Sequence, residues 1–332
     1  MPSQALKETI KAMFPVGKGL LAADESVKSV GKRLDPIGVE STPENRRRFR
    51  ELYLAAPGAE RYMSGVILVE ETLRQSSAEG IPFPKLLADR GIVPGIKVDA
   101  GTKDLPGFPD EVVTEGIDGL SDRLMQYYGL GARFAKWRAV IRIGNDIPTD
   151  ACIELNACLL AYYAMRCVEA GIVPMVEPEV LLDGAHTIER AEAVTRNVLH
   201  VLIEFLEHYR VDLGGVVVKT SMVVPGKDSG QPMVPEQIAD ATVRCLRAAI
   251  PDRVGGVVFL SGGQSADQAT MNLNAIAQHG PFPWPLTFCY ARALQYPAVE
   301  VWGGKDENLD RARDAFMLRL KANSAASTGN FG

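Results

Sequence analysis

No run of about 18 consecutive apolar residues occurs in the 332-residue chain, so no segment reads as a membrane-spanning helix. Histidine is scarce. His186, His200, His208 and His279 are the only four, none closes an apolar run, and no His-Glu-x-x-His pattern is present, which argues against a histidine-built zinc site. His200 and His208 fall on a helical pattern and read as surface residues; His186 lies in a loop and reads as a loop hydrogen-bonding residue. The five cysteines, Cys152, Cys158, Cys167, Cys245 and Cys289, are odd in number and contain no Cys-x-x-Cys pair, which excludes a zinc knuckle and gives no disulfide framework. The first three share one helical stretch and read as small buried hydrophobes.

A basic surplus is also missing. Thirty-six Lys and Arg stand against 41 Asp and Glu, a net charge of −5, so nucleic acid is not an expected partner and any bound anion must be drawn by a local group of bases. Neither a Gly-x-Gly-x-x-Gly turn nor a Gly-x-x-x-x-Gly-Lys-Ser/Thr loop appears, which removes the commonest nucleotide-binding readings. Near the N-terminus Leu6, Ile10, Met13 and Phe14 lie on one helical face with Lys7 and Lys11 interleaved, unlike the unbroken apolar core of a signal peptide. The expectation is a cytoplasmic chain in a reducing compartment, with no metal, no cofactor, no nucleic-acid partner and no membrane partner.

What the sequence does contain is a series of short apolar, β-branched runs at residues 19–24, 65–70, 95–99, 133–138, 173–179, 215–220, 255–261 and 286–290. Helical patterns such as 154–170 and 188–209 separate them. Near-continuous apolar strands are those of a parallel sheet covered on both faces. Eight strand-then-helix units fit a single (β/α)8 barrel; an open doubly wound sheet would share the pattern. Segment 101–111 reads as a loop. No linker divides the chain, so residues 1–322 are expected to form one catalytic barrel domain. The Ser, Ala, Gly and Asn-rich residues 323–332 read as a flexible C-terminal tail.

Six of the eight runs end in or beside charge: Asp24, Glu70, Lys97 with Asp99, Lys136 with Arg138, Glu177 with Glu179, and Lys219. Side chains two apart on a strand point the same way, and the C-terminal strand ends of a barrel form its active-site mouth. Lys219, inside a Val-rich strand, is expected to be desolvated and near other bases, both of which lower an ammonium pKa. A neutral amine there would attack a carbonyl carbon, with Glu177, Glu179 and Asp24 as candidate proton-transfer groups. Charges that merely bridge and plug the barrel remain the structural alternative. Ser261-Gly-Gly-Gln264 after the seventh run is expected to open a helix and, with Arg292 after the eighth, to bind phosphate through amides and a positive helix end.

Leu20-Leu-Ala-Ala-Asp-Glu-Ser26, Gly31-Lys-Arg-Leu34, Glu44-Asn-Arg-Arg-Arg-Phe-Arg50, Gly95-Ile-Lys-Val-Asp99 and Phe134-Ala-Lys-Trp-Arg138 resemble the Schiff-base-forming (class I) fructose-bisphosphate aldolases. So do Gly171-Ile-Val-Pro-Met-Val-Glu-Pro-Glu179, Phe259-Leu-Ser-Gly-Gly-Gln264, Tyr290-Ala-Arg-Ala-Leu294 and Trp302-Gly-Gly-Lys305. The resemblance implies reversible cleavage of fructose 1,6-bisphosphate, a step of glycolysis and gluconeogenesis, without metal or cofactor and usually in a homotetramer. It makes Lys219 the Schiff-base lysine and gives proton transfer and charge stabilisation to Asp24, Lys136 and Glu177, tuned by Glu179. It places Lys97, Arg138, Arg33, Ser26 and Ser29 at one end of the sugar. Ser261, Gly262, Gly263, Ala291 and Arg292 fall at the other phosphate. Departures from the family pattern are Val27-Lys28 for Thr-Gly, Ala100 for Lys, Thr220-Ser for Pro-Asn, Ala291 for Gly, and the absence of the terminal tyrosine of animal members. Another lysine aldolase acting on sugar monophosphates, or a non-catalytic barrel scaffold, are the alternatives.

Overall fold

A computed structural model describes residues 4–332. Its strands are β1 (Gly19–Ala22), β2 (Met63–Leu68), β3 (Val93–Lys97), β4 (Gly101–Asp104), β5 (Val112–Glu115), β6 (Phe134–Ile141), β7 (Val173–Val180), β8 (Val217–Thr220), β9 (Gly256–Phe259) and β10 (Leu286–Tyr290). Eight of these close a barrel in the order β1-β10-β9-β8-β7-β6-β3-β2, every pair parallel. Each apolar run overlaps one barrel strand. The open-sheet alternative falls because β1 pairs with β10, Leu20 against Cys289 and Leu21 against Tyr290. The segment expected to be a loop instead starts an antiparallel hairpin of β4 and β5. Thr102, Lys103 and Asp104 are exposed, so the hairpin has no apolar run by which it could be seen.

Strand parity sorts the barrel interior by height. Phe134, Val173, Met175, Val217 and Val258 pack together low in the lumen with Leu20, Ala22, Ile67 and Cys289. Lys136, Glu177 and Lys219 come two residues after Phe134, Met175 and Val217, so they follow on the same face and nearer the C-terminal ends. Close packing demands missing side chains in places: a Cβ on Gly95 would lie 2.2 Å from the Phe134 ring. The helix Gln4–Met13 closes the opposite end, burying Leu6, Ile10 and Met13 against the lower lumen.

Long helices cover the outside. Asp150–Glu169 and Ile188–His208 start at Thr149 and Thr187, whose side chains accept from the N–H of Cys152 and Arg190. Asp150–Glu169 is long and apolar enough to cross a membrane by composition alone. Here it packs on β6, β7 and the Ile188–His208 helix, burying Ile153, Leu160, Tyr163 and Cys167, as a core helix does. The boundary expected at residue 323 falls inside the last helix, Leu309–Ala326. Asn323 and Ala326 are fully buried, and the Asn323 amide oxygen takes a 3.0 Å hydrogen bond from Thr270. The alanines that made the segment look featureless are the strongest helix formers. Beyond the helix, Gln278 donates to the Gly329 carbonyl, and Asn274 accepts from the Phe331 N–H at 2.9 Å.

Candidate active site

The charged strand ends line one cavity of about 400 Å³ at the mouth of the barrel, within the ordinary range for a small-molecule site. Its centre is a buried ionic chain. Lys136 Nζ lies 2.6 Å from Asp24 Oδ2, 3.2 Å from Glu177 Oε2 and 4.0 Å from Asp99 Oδ2. Lys219 Nζ lies 3.0 Å from Glu177 Oε1, so one carboxylate spans two ammonium groups. Lys136, Glu177 and Lys219 are each 3% exposed. Ions held so far from water persist only when paired. Cys289, on β10, shares this part of the wall.

Fields around these groups decide their protonation. Burial pushes the Asp24 carboxyl up, but Lys136 and Lys219 outweigh it and hold the group well below the usual carboxylate range. Lys136 is opposed by burial yet raised by Asp24 and Glu177. Glu179 is raised, chiefly by burial and partly by Glu177, against the pull of Arg138. Lys219 departs from the expectation of a lowered ammonium. Burial lowers it, but the negative groups facing it, Cys289 and Glu177 with Asp24, outweigh both burial and Lys136. Burial pushes the Cys289 thiol itself up to about 11, against the pull of Lys219, and Glu177 is the carboxylate in direct contact with the Lys219 ammonium. The resting nucleophile is an ammonium with an acceptor 3.0 Å away.

Further bases and hydroxyls line the same cavity. Lys97 bonds the Asp99 carboxylate and carbonyl, each at 2.8 Å, and Arg138 reaches Glu179 at 2.9 Å. Ser26 caps the helix Val27–Leu34, accepting from the Ser29 N–H, with the two hydroxyl oxygens 3.0 Å apart. Arg33, on that helix, also lines the wall. Ser261, Gly262, Ala291 and Arg292 line the cavity as well.

Fourteen of the fifteen residues singled out above therefore meet in one cavity; only Gly263 is not in its wall. Gly263 turns away with φ 86°, and a Cβ there would sit 3.1 Å from Leu182. Glu70 is also elsewhere: it begins the short helix Glu70–Leu73 and accepts from the Tyr127 hydroxyl. The positive helix end expected after Ser261 is not what faces the cavity. The helix Ala266–Ala277 starts later, closed by a reciprocal Ser265–Gln268 capping box. The helix that does open on the cavity is Arg292–Trp302, with Ala291 at its N-cap. Asp99, named above with Lys97, also lines the cavity. Ala22, Glu25, Ala100, Gly101, Leu260 and Cys289 complete the wall without having been singled out for the site. Of these only Glu25 carries an ordinary sequence signal, a charge next to Asp24.

A closed barrel whose mouth sets paired lysines and carboxylates among further bases, serines and helix-start amides is the architecture of a carbon–carbon lyase acting on phosphorylated sugars. Over residues 5–332 the chain matches the family model described as fructose-bisphosphate aldolase class-I. It is 52% identical over 316 residues to a cytosolic fructose-bisphosphate aldolase of Arabidopsis thaliana, covering 95% of this chain and 80% of that one. Across 333 residues it is 49% identical to a probable class 1 fructose-bisphosphate aldolase of Xanthomonas campestris, covering 100% and 99%. The fructose-bisphosphate aldolase of Plasmodium falciparum, in a co-crystal structure with a small-molecule inhibitor, superposes with a TM-score of 0.98 at 44% identity, over 99% of this chain and 95% of that one. The chain belongs to the class I fructose-bisphosphate aldolase family.

Proposed function

We propose that this chain cleaves fructose 1,6-bisphosphate reversibly to dihydroxyacetone phosphate and glyceraldehyde 3-phosphate through a Schiff base on Lys219. The observation that carries this reading is the single buried carboxylate of Glu177 lying between Lys219 and Lys136. Glu177 first takes a proton from the Lys219 ammonium. The free amine adds to the C2 carbonyl, giving a carbinolamine, and Glu177 returns the proton to its hydroxyl as water leaves. The iminium so formed withdraws electrons from C3–C4. Asp24, kept ionised by Lys136, accepts the proton of the C4 hydroxyl; the C3–C4 bond breaks and glyceraldehyde 3-phosphate departs. The enamine is protonated at C3, and water releases dihydroxyacetone phosphate from Lys219. Lys136 stabilises the carboxylates through the proton transfers, and Glu179 orients Arg138.

Arg292, with the amides near Ser261, Gly262 and Ala291, takes the phosphate nearest the ketone. Lys97, Arg138, Arg33, Ser26 and Ser29 take the other. A charge-assisted contact of the Arg292 kind is worth about 1.5–3 kcal/mol. Arg292→Ala is accordingly expected to weaken dihydroxyacetone phosphate binding about ten- to a hundredfold, measured by competitive inhibition; unchanged affinity would place that phosphate elsewhere.

Family membership favours this activity over a monophosphate aldolase or a non-catalytic scaffold. Class I enzymes work without a metal. Among the described residues no three His, Cys, Asp or Glu side chains are grouped to hold an ion, and Lys136 and Lys219 stand where a Lewis acid would act. Full activity is expected after exhaustive EDTA treatment. Loss on chelation that zinc or cobalt restores would sink the mechanism. A homotetramer is also proposed, supported by the exposed apolar side chains of Met125, Tyr128 and Leu130. A cytoplasmic location is supported by relatives named cytosolic or cytoplasmic.

A further inference from the structure

Behind the cavity wall lies a buried polar group that the mechanism does not use. Arg50 is 1% exposed and sits on the helix Pro43–Leu54. Its guanidinium donates to the Thr72 hydroxyl and the Glu25 carbonyl, each at 2.8 Å, and lies 3.2 Å from Glu25 Oε2. The other oxygen of that carboxylate accepts from Arg33 Nη1. The same Nη1 also donates to the side-chain oxygen of Gln295, a fully buried residue. Gln295 in turn is fixed by a 3.2 Å bond from its amide to the Ala22 carbonyl at the end of β1.

Two acceptors, Glu25 and the distant Gln295, thus converge on one nitrogen of Arg33. Both acceptors bind Nη1, and no described residue takes a hydrogen bond from Nε or Nη2. That free edge is the one through which a guanidinium grips phosphate with two parallel hydrogen bonds. Tyr296, next in sequence to Gln295, lies against the guanidinium at 5.9 Å. A long side chain that could otherwise sample many rotamers is held on one side with its bidentate edge uncommitted in the wall.

We propose that Gln295, together with Glu25 anchored on Arg50, is a positioning residue. It orients Arg33 for the phosphate farther from the reacting ketone, and so sets the preference for two-phosphate over one-phosphate sugars. The inference rests on the reading above that Arg33 faces that phosphate. Gln295 is the cleaner probe of the group, because its replacement by methionine changes no charge.

The test compares fructose 1,6-bisphosphate with fructose 1-phosphate, which lacks the farther phosphate. In Gln295→Met the KM for the bisphosphate is expected to rise about tenfold, while KM and kcat for fructose 1-phosphate stay within about twofold. Gln295→Glu, which keeps an acceptor for Nη1, should restore most of the bisphosphate affinity. In an Arg33→Ala background, Gln295→Met should have no further effect, since the group it positions is gone. An equal loss on both substrates, or an undiminished effect in that background, would show that Gln295 serves the general fold and overturn the proposal. If Arg33→Ala itself leaves the bisphosphate KM unchanged, the fault lies in the phosphate assignment instead. Should Gln295→Met fail to fold, Glu25→Asp, which retains the charge facing Arg50 but draws back from Arg33, is expected to give the same substrate split; an equal loss on both substrates there overturns the proposal in the same way.

Discussion

Lys219→Arg is expected to lower turnover by about four powers of ten or more, with dihydroxyacetone phosphate still bound. Arginine keeps the positive charge that Glu177 and Asp24 require, so the ionic chain is not left with unpaired carboxylates. What it removes is the nucleophile, because a guanidinium does not surrender its proton in a protein. The wild-type site avoids that barrier by placing a proton acceptor 3.0 Å from the amine. Borohydride reduction in the presence of dihydroxyacetone phosphate should leave a covalent adduct on Lys219, located by mass spectrometry of peptides. Lys97 and Lys136 should remain unmodified, and the arginine variant should carry no adduct. An adduct on Lys136, whose ammonium is held more firmly by Asp24 at 2.6 Å, would overturn the assignment.

Glu177→Gln should cost about two to four powers of ten in kcat, the usual range for a positioned acid–base group. Its two effects oppose one another. Without the carboxylate the Lys219 ammonium loses one of the charges that raise it, which favours the free amine, although the proton acceptor 3.0 Å away is lost with it. Dehydration of the carbinolamine, however, loses its acid, and that step then limits the rate. Borohydride trapping should slow in parallel with turnover, since the iminium forms late. Trapping at the wild-type rate with turnover still lost would assign Glu177 to a later step. The substitution also leaves Lys136 and Lys219 short of a partner, a loss of about 3–5 kcal/mol for a buried pair. Circular dichroism must confirm that the variant is folded before its rate is read.

Much of the barrel was legible because its strands are apolar on both faces and carry charge only where they emerge at the mouth. Lys136, Glu177 and Lys219 stood out for that reason. The β4–β5 hairpin was not legible, since Thr102, Lys103 and Asp104 lie in solvent and leave no pattern. The state of Lys219 was misjudged because the strand sequence shows its own lysine but not the carboxylates brought to it from β7 and the end of β1. The roles of Arg50 and Gln295 were invisible for a related reason: each is an unremarkable polar residue until separate segments meet. One error was avoidable. Ser265 followed three residues later by Gln268 spells a capping box, which already moves the helix start away from Ser261.

The plug at the closed end of the barrel fixes an order of events during synthesis. Ile10 and Phe14 occupy the space in which Gly255 and Gly256 have no side chains; a Cβ on either would come within 2.7 Å and 2.3 Å of them. The helix Gln4–Met13 therefore docks fully only once residues 255 and 256, far later in the chain, have emerged from the ribosome. Until then its Leu6, Ile10 and Met13 face remains open to water and to chaperones. Slow elongation over the last barrel strands prolongs that exposure, whereas a bulky substitution at Gly256 makes it permanent, leaving the Gln4–Met13 helix with nowhere to dock.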